Sequence, residues 1–205
     1  SKAIIEDVSG LPIHYSIVVD FSGFTNIIDL VGGVDITVPV AFTDADYPIE
    51  GKEKDLCDGD ITYRCRYEVL HFVAGIQHMD GVRALKYVRS RHAQGDEGTD
   101  FARSKRQIKI LMALKSKVVN PKIFLNPKNI TDMATKFQNN TATDLNTGQE
   151  LFLAKKLINF NPANIHNFSL DTGTDDKPGL LINPPLSSDY DGAWVLVPRS
   201  GNWQN

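Results

Sequence analysis

The stretch SIVVDFSGFTNIIDLVGGVDITVPV, residues 16–40, constrains the fold of this chain more than any other. It opens apolar and β-branched, as a strand does. After Phe21 the apolar residues Phe24, Ile27, Ile28 and Val31 recur at helical spacing. Gly32-Gly33 then ends the helix, and VDITVPV alternates in the manner of a half-buried strand. The unit reads strand–helix–turn–strand. Its Gly-Gly reads as a helix C-cap and tight turn rather than a phosphate loop, because neither GxGxxG nor GKS/T follows.

Residues 43–69 are polar and turn-rich, and read as an excursion from the ordered fold. VAGIQHMDGVRALKYVRSRH returns to order, with Asp80 as N-cap and Val82, Leu85 and Val88 on an apolar side. After the loop HAQGDEGTD, Thr99 or Asp100 caps a long helix running to about residue 119. Two further helices are expected over 127–137 and 147–160, and GAWVLVP reads as a final strand. No repeat, low-complexity tract or linker divides the chain. The expectation is one α/β domain over residues 1–205, a mixed β-sheet sandwiched by helices.

The chain has 205 residues and a formal net charge of −3, so a general affinity for nucleic acid is not expected and any cationic function is local. No run reaches the roughly 18–20 apolar residues of a membrane span. The opening SKAIIEDVSG has no initiating Met, no signal-peptide pattern, and enters a helix directly. It reads as part of a longer protein. Cys57 and Cys65 lie in DLCDGDITYRC. A disulfide in an oxidising, extracytoplasmic setting is the preferred reading, with free thiols or a metal site as alternatives.

The cationic function has one obvious seat. YVRSRHAQGDEGTDFARSKRQ gathers Arg89, Arg91, Arg103 and Arg106. On a helical wheel Arg103, Gln107, Ile110, Leu114 and Val118 share one stripe, polar at the helix start and apolar beyond it. That pattern suits a helix lining a pocket with a polar mouth, where free N–H groups favour an anion. Arg89 and Arg91 arrive from the preceding segment, and the planar guanidinium fork suits phosphate. Arg106 and Lys109 fall mainly on the outer side, with Arg106 kept as a further candidate. The competing reading pairs these arginines with Asp96, Glu97 and Asp100 on the surface. The five histidines are scattered, and G-x-S-x-G is absent, so serine hydrolysis has no support.

IHYSIVVDFSGFTNIIDLVGGVDITVPV, GIQHMDGVRALKYVRSR and DFARSKRQ together resemble the LytR–CpsA–Psr family of bacterial cell-envelope proteins. The likeness is strongest over residues 10–119. It implies an α/β/α fold and transfer of a phosphoglycopolymer, such as teichoic acid or capsule, from a polyprenyl-diphosphate carrier to peptidoglycan. It assigns the diphosphate to Arg89, Arg91, Arg103 and Gln107, and the lipid to an apolar cavity, for which Ile110, Leu114 and Val118 are the candidates. It also implies an extracytoplasmic protein anchored in the membrane through an upstream segment. The family's magnesium-binding carboxylates lie upstream of the part matched here, so no metal ligand is expected in this chain. Asp20 and Asp29 are expected to be structural, and the domain to be incomplete on its N-terminal side. Two alternatives stay open: a module that binds polyprenyl phosphates without turnover, and a simple pyrophosphatase.

Overall fold

The computed structural model describes residues 2–118, 140–158, 170–173 and 176–201. The chain forms two compact units, Tyr15–Phe160 and, separately, Ser1–His14 with Asn161–Asn205.

In the larger unit the expected opening is present: β1 (Ile17–Val19), α2 (Phe21–Leu30; α1, Lys2–Ser9, is in the smaller unit) and β2 (Val34–Val38). Asp20 caps α2, its carboxylate accepting from the Gly23 amide at 2.6 Å. At the other end Gly32 and Gly33 donate to the carbonyls of Asp29 and Ile28, each at 2.9 Å. Both glycines adopt a left-handed φ, +77° and +78°. A Cβ on Gly33 would also lie 2.5 Å from His78 Nε2 and 2.9 Å from the Met79 carbonyl oxygen, so position 33 has no room for a side chain.

The 43–69 segment is more ordered than its polarity implies. It opens within β3 (Phe42–Pro48) and closes into β4 (Tyr67–Phe72), which pair antiparallel with a register shift between Asp44 and Tyr47. The excursion proper is what lies between them. There Cys57 and Cys65 are joined in a disulfide, their Cα atoms 5.5 Å apart. β5 (Gly75–Met79) pairs antiparallel with β2, from Val34 opposite Met79 to Val38 opposite Gly75. β6 (Thr141–Thr143) pairs antiparallel with β1, whose three residues are all exposed. The α/β class stands. Among the described residues the strands form two-stranded antiparallel ladders rather than one continuous mixed sheet.

Three more helices of this unit fall among the described residues. α3 (Gly81–Arg89) is capped by Asp80, which accepts from the Arg83 amide at 2.8 Å. α4 spans Asp100–Val118, and the Thr99 hydroxyl caps it through the Ala102 amide. α5 (Thr147–Ile158) starts with a reciprocal cap, in which Asn146 and Gln149 side chains each accept the other's amide. The helix expected over 127–137 lies outside the described residues.

β2 presents Val34, Ile36 and Val38 inward and Asp35 and Thr37 outward, the period-two alternation of its sequence. Those inward residues join Ile28, Met79, Ala84, Tyr87 and Ile110 in one buried cluster. Phe42, Phe72 and Tyr87 stack through it with ring centroids 5.0 to 6.1 Å apart. In the smaller unit, α1 (Lys2–Ser9) holds the following turn by its Glu6 carboxylate, and β7 (Leu181–Ile182) pairs antiparallel with β8 (Val197–Pro198).

Candidate functional site

The arginine-rich segment begins where α3 ends. Arg89 is the last residue of that helix, and its guanidinium lies over the Phe21 ring, 4.1 Å from the centroid. Tyr47 stands on another side at 5.7 Å. Ser90 follows, fully buried. Arg91 comes next and is exposed. The chain thus leaves the helix between the two arginines, and a buried serine is the pivot.

Ser90 is held from two directions. Its hydroxyl donates to Asp44 Oδ2 at 2.7 Å, and the amides of Arg91 and His92 donate to the same oxygen at 3.1 and 3.2 Å. The other Asp44 oxygen accepts from the Asp46 amide at 3.1 Å. Burial opposes ionisation of Asp44, but the hydrogen bonds from Ser90 and from the His92, Asp46 and Arg91 amides outweigh it. They hold the carboxyl below the usual aspartate range.

From the other direction comes Arg106 of α4, whose Nη2 donates to the Ser90 carbonyl at 2.6 Å. Its Nε donates to the Tyr87 carbonyl at 3.0 Å, and its Nη1 to the Glu97 carbonyl and carboxylate at 2.9 and 2.8 Å. The aromatic rings of Phe42 and Tyr87 flank it at 4.8 and 5.8 Å. Burial pulls this guanidinium below the ordinary arginine range, and the Glu97 charge opposes that pull. Burial likewise raises the Tyr87 hydroxyl.

Arg106 is therefore not on the outer side of α4, where the helical wheel set it. It is 2% exposed and committed to internal partners, which also removes it as a diphosphate candidate. The buried face of α4 runs through Arg106 and Ile110, with Ala113 and Leu114 packed against the core. Ile110 is 0% exposed within that core and so does not line an open pocket. The Val118 side chain lies outside the described ones. Gln107 is exposed, and Arg103, one turn before Arg106, pairs with Asp100 at 3.1 Å.

A cleft of about 860 Å³ lies beside this segment, lined among others by Val40, Thr43, His71, His92, Gln94 and Glu97. None of the sequence-predicted arginines, nor Gln107, is part of that lining. Asp44, Ser90 and Phe21 were not singled out from the sequence. The available signal for Asp44 was an acid two residues from Phe42, in phase with an inward strand position.

The carboxylates named earlier are occupied. Asp20 caps α2, and Asp29 Oδ1 accepts from the Gly81 amide at 2.7 Å. Among the described residues, one group of side chains has the proximity to hold a metal: Asp55 with Cys57 and Cys65. Its sulfurs are bonded to each other, so the set does not fit magnesium, which takes oxygen ligands.

The fold and this segment define an α/β protein that presents two arginines on a braced helix end. The chain belongs to the LytR_cpsA_psr family, whose model it matches over residues 2–194. It is 30% identical over 171 residues to the polyisoprenyl-teichoic acid–peptidoglycan teichoic acid transferase TagV of Bacillus subtilis, covering 83% of this chain and 38% of that protein. To the enzyme of the same description named TagU from Bacillus mycoides it is 30% identical over 159 residues, covering 78% and 43%. It thus spans about two fifths of the length of these relatives. The crystal structure of B. subtilis TagV superposes with a TM-score of 0.63 at 25% identity, covering 98% of this chain and 63% of that one. A LytR-Csp2A-Psr enzyme from Actinomyces oris shares the fold, with a TM-score of 0.56 at 21% identity over 82% of this chain and 58% of that one.

Proposed function

We propose that this chain is the diphosphate-holding part of an enzyme that transfers a phosphoglycopolymer from a polyprenyl-diphosphate carrier to peptidoglycan. One observation carries the reading. Of the acids beside the cluster, Glu97 is engaged by Arg106 and Asp100 by Arg103, while Arg89 and Arg91 have no carboxylate partner, Asp96 included, among the described residues. Surface pairing therefore does not account for the cluster. Two guanidiniums remain to meet an anion, and the family relatives named above are teichoic acid transferases.

In the proposed reaction an acceptor sugar hydroxyl attacks the phosphorus that carries the glycopolymer. The phosphoanhydride P–O bond breaks, polyprenyl phosphate departs with the bond's electron pair, and the hydroxyl proton is released. Arg89, Arg91 and Arg103 offset the charge gathering on the phosphate oxygens. Arg103 reaches this role by exchanging its exposed Asp100 partner for phosphate, a small loss because such surface pairs contribute about 0–1 kcal/mol. Magnesium belongs to the reading as well, on carboxylates contributed from outside these residues. The extracytoplasmic location and the membrane anchor are part of the same proposal, and the Cys57–Cys65 disulfide suits an oxidising compartment. No helix among the described residues is long and apolar enough to cross a membrane.

The test is a titration with geranylgeranyl diphosphate. Arg103→Ala should weaken binding about tenfold or more, the worth of a charge-assisted hydrogen bond, and Lys109→Ala should change it little. Equal effects of the two substitutions would reduce the site to diffuse positive charge. Transfer measured with and without added acceptor glycan separates the enzyme from a module that binds without turnover.

A further inference from the structure

Ser90 separates Arg89 from Arg91, and every polar group it offers is held. Its hydroxyl is on Asp44, its carbonyl on Arg106, and its amide on the Lys86 carbonyl at 3.0 Å. Asp44 and Arg106 are themselves buried charges, 0% and 2% exposed, which a fold keeps only against a desolvation penalty. Neither charge faces solvent, so neither meets a ligand directly. What they share is the residue between the two arginines.

Fixing Ser90 fixes the turn by which the chain leaves α3, and with it the directions of both arginine stems. Arg89 is braced further by Phe21 and Tyr47. Asp44 also holds the amide of Arg91 itself. A diphosphate carries two charged groups where a monophosphate carries one, so two guanidiniums presented together gain more from the former. Where the turn is loose, both charges persist, but the pair must be ordered on binding.

We propose that Asp44 and Arg106 are positioning residues which, through Ser90, hold the backbone of Arg89 and Arg91 in the arrangement that favours a diphosphate over a monophosphate. The inference rests on the diphosphate reading above.

The experiment titrates the 205-residue chain with geranylgeranyl diphosphate and with geranylgeranyl monophosphate. Variants are Asp44→Asn, Ser90→Ala and the pair Arg89→Ala/Arg91→Ala, each with its thermal melt. The quantity read is the ratio of the two affinities, which is independent of the fraction of chain that is folded. Asp44→Asn and Ser90→Ala are expected to lower that ratio about tenfold, the ordering penalty of two long side chains. In the Arg89→Ala/Arg91→Ala background Asp44→Asn is expected to lower it no further. If Asp44→Asn does not fold, Ser90→Ala decides, since it removes one hydroxyl and keeps both buried charges. A ratio unchanged in Ser90→Ala, with the double arginine variant impaired, overturns the positioning role and leaves the diphosphate reading standing. A double arginine variant that binds the diphosphate as well as the unsubstituted chain overturns the reading itself, and the inference with it.

Discussion

Arg106 offers the sharpest prediction about stability. Arg106→Ala removes a guanidinium that is 3% exposed and makes four hydrogen bonds, to Tyr87, Ser90 and twice to Glu97. The Tyr87 and Ser90 carbonyls then lose a buried donor, and each unsatisfied buried group costs about 1–3 kcal/mol. The Glu97 carboxylate, 23% exposed, recovers part of its loss from water. The contacts with Phe42 and Tyr87 also go. These losses share one side chain and do not add fully, so the expectation is about 3–5 kcal/mol, as for other broken buried ion pairs. In a chain of this size that lowers Tm by about 6–20 °C. Arg103→Ala is the comparison, since its Asp100 partner is 66% exposed and the pair contributes about 0–1 kcal/mol. Urea denaturation followed by circular dichroism measures both. A change below about 1 kcal/mol for Arg106→Ala, or one equal to that of Arg103→Ala, would refute the reasoning, since a buried pair broken on one side costs several times more.

Further expectations concern other positions. Asp44 has a folded-state pKa below its ordinary value, so its contribution is complete above pH 4 or so and is lost as pH falls through the lower, folded value. The stability gap between the unsubstituted chain and Asp44→Asn should therefore be widest near neutrality and narrow on acidification; a gap that widens in acid would contradict this. Gly81→Ala should destabilise by about 1–3 kcal/mol although alanine is the better helix former, because its Cβ would lie 2.3 Å from the Thr25 carbonyl oxygen. A raised Tm would show that α2 and α3 yield readily. Thiol labelling of the unreduced, denatured chain should find neither Cys57 nor Cys65 reactive. Opening that loop should lower stability by about 2–3 kcal/mol in the chain-entropy account, and labelling of both residues would exclude the bond.

Much of the fold was legible because its local signals agree with one another. Asp20, Gly32-Gly33, Asp80 and Thr99 each act at the boundary where their chemistry is most useful, and β2 buries the residues its alternation selects. β3 and β4 were hidden by composition. Thr43, Asp44, Asp46, Glu68 and His71 in TDADYP and YEVLHF are polar or charged, as loop residues are, and the partners that order them lie about 20 to 30 positions away. Their pairing is a tertiary fact, and propensity alone does not carry it.

The site was legible as a cluster and misread in its orientation. The wheel aligned α4 on Arg103, Gln107, Ile110 and Leu114, while the buried face is rotated toward Arg106 and Ala113. The shift follows from setting Arg103 on the inner stripe and leaving Arg106 on the outer side, when Arg106 is the buried one. A different question locates Arg106 correctly. The last carbonyls of a helix need partners, and α3 ends in KYVRSRH with no glycine to supply a left-handed cap. A donor must then come from elsewhere, and a cation is favoured at the negative end of the helix dipole. Arg106 is that donor, bonded to the Tyr87 and Ser90 carbonyls at the end of α3. One of the four arginines is thus consumed in finishing the helix that presents Arg89, and the count available for an anion falls from four to three.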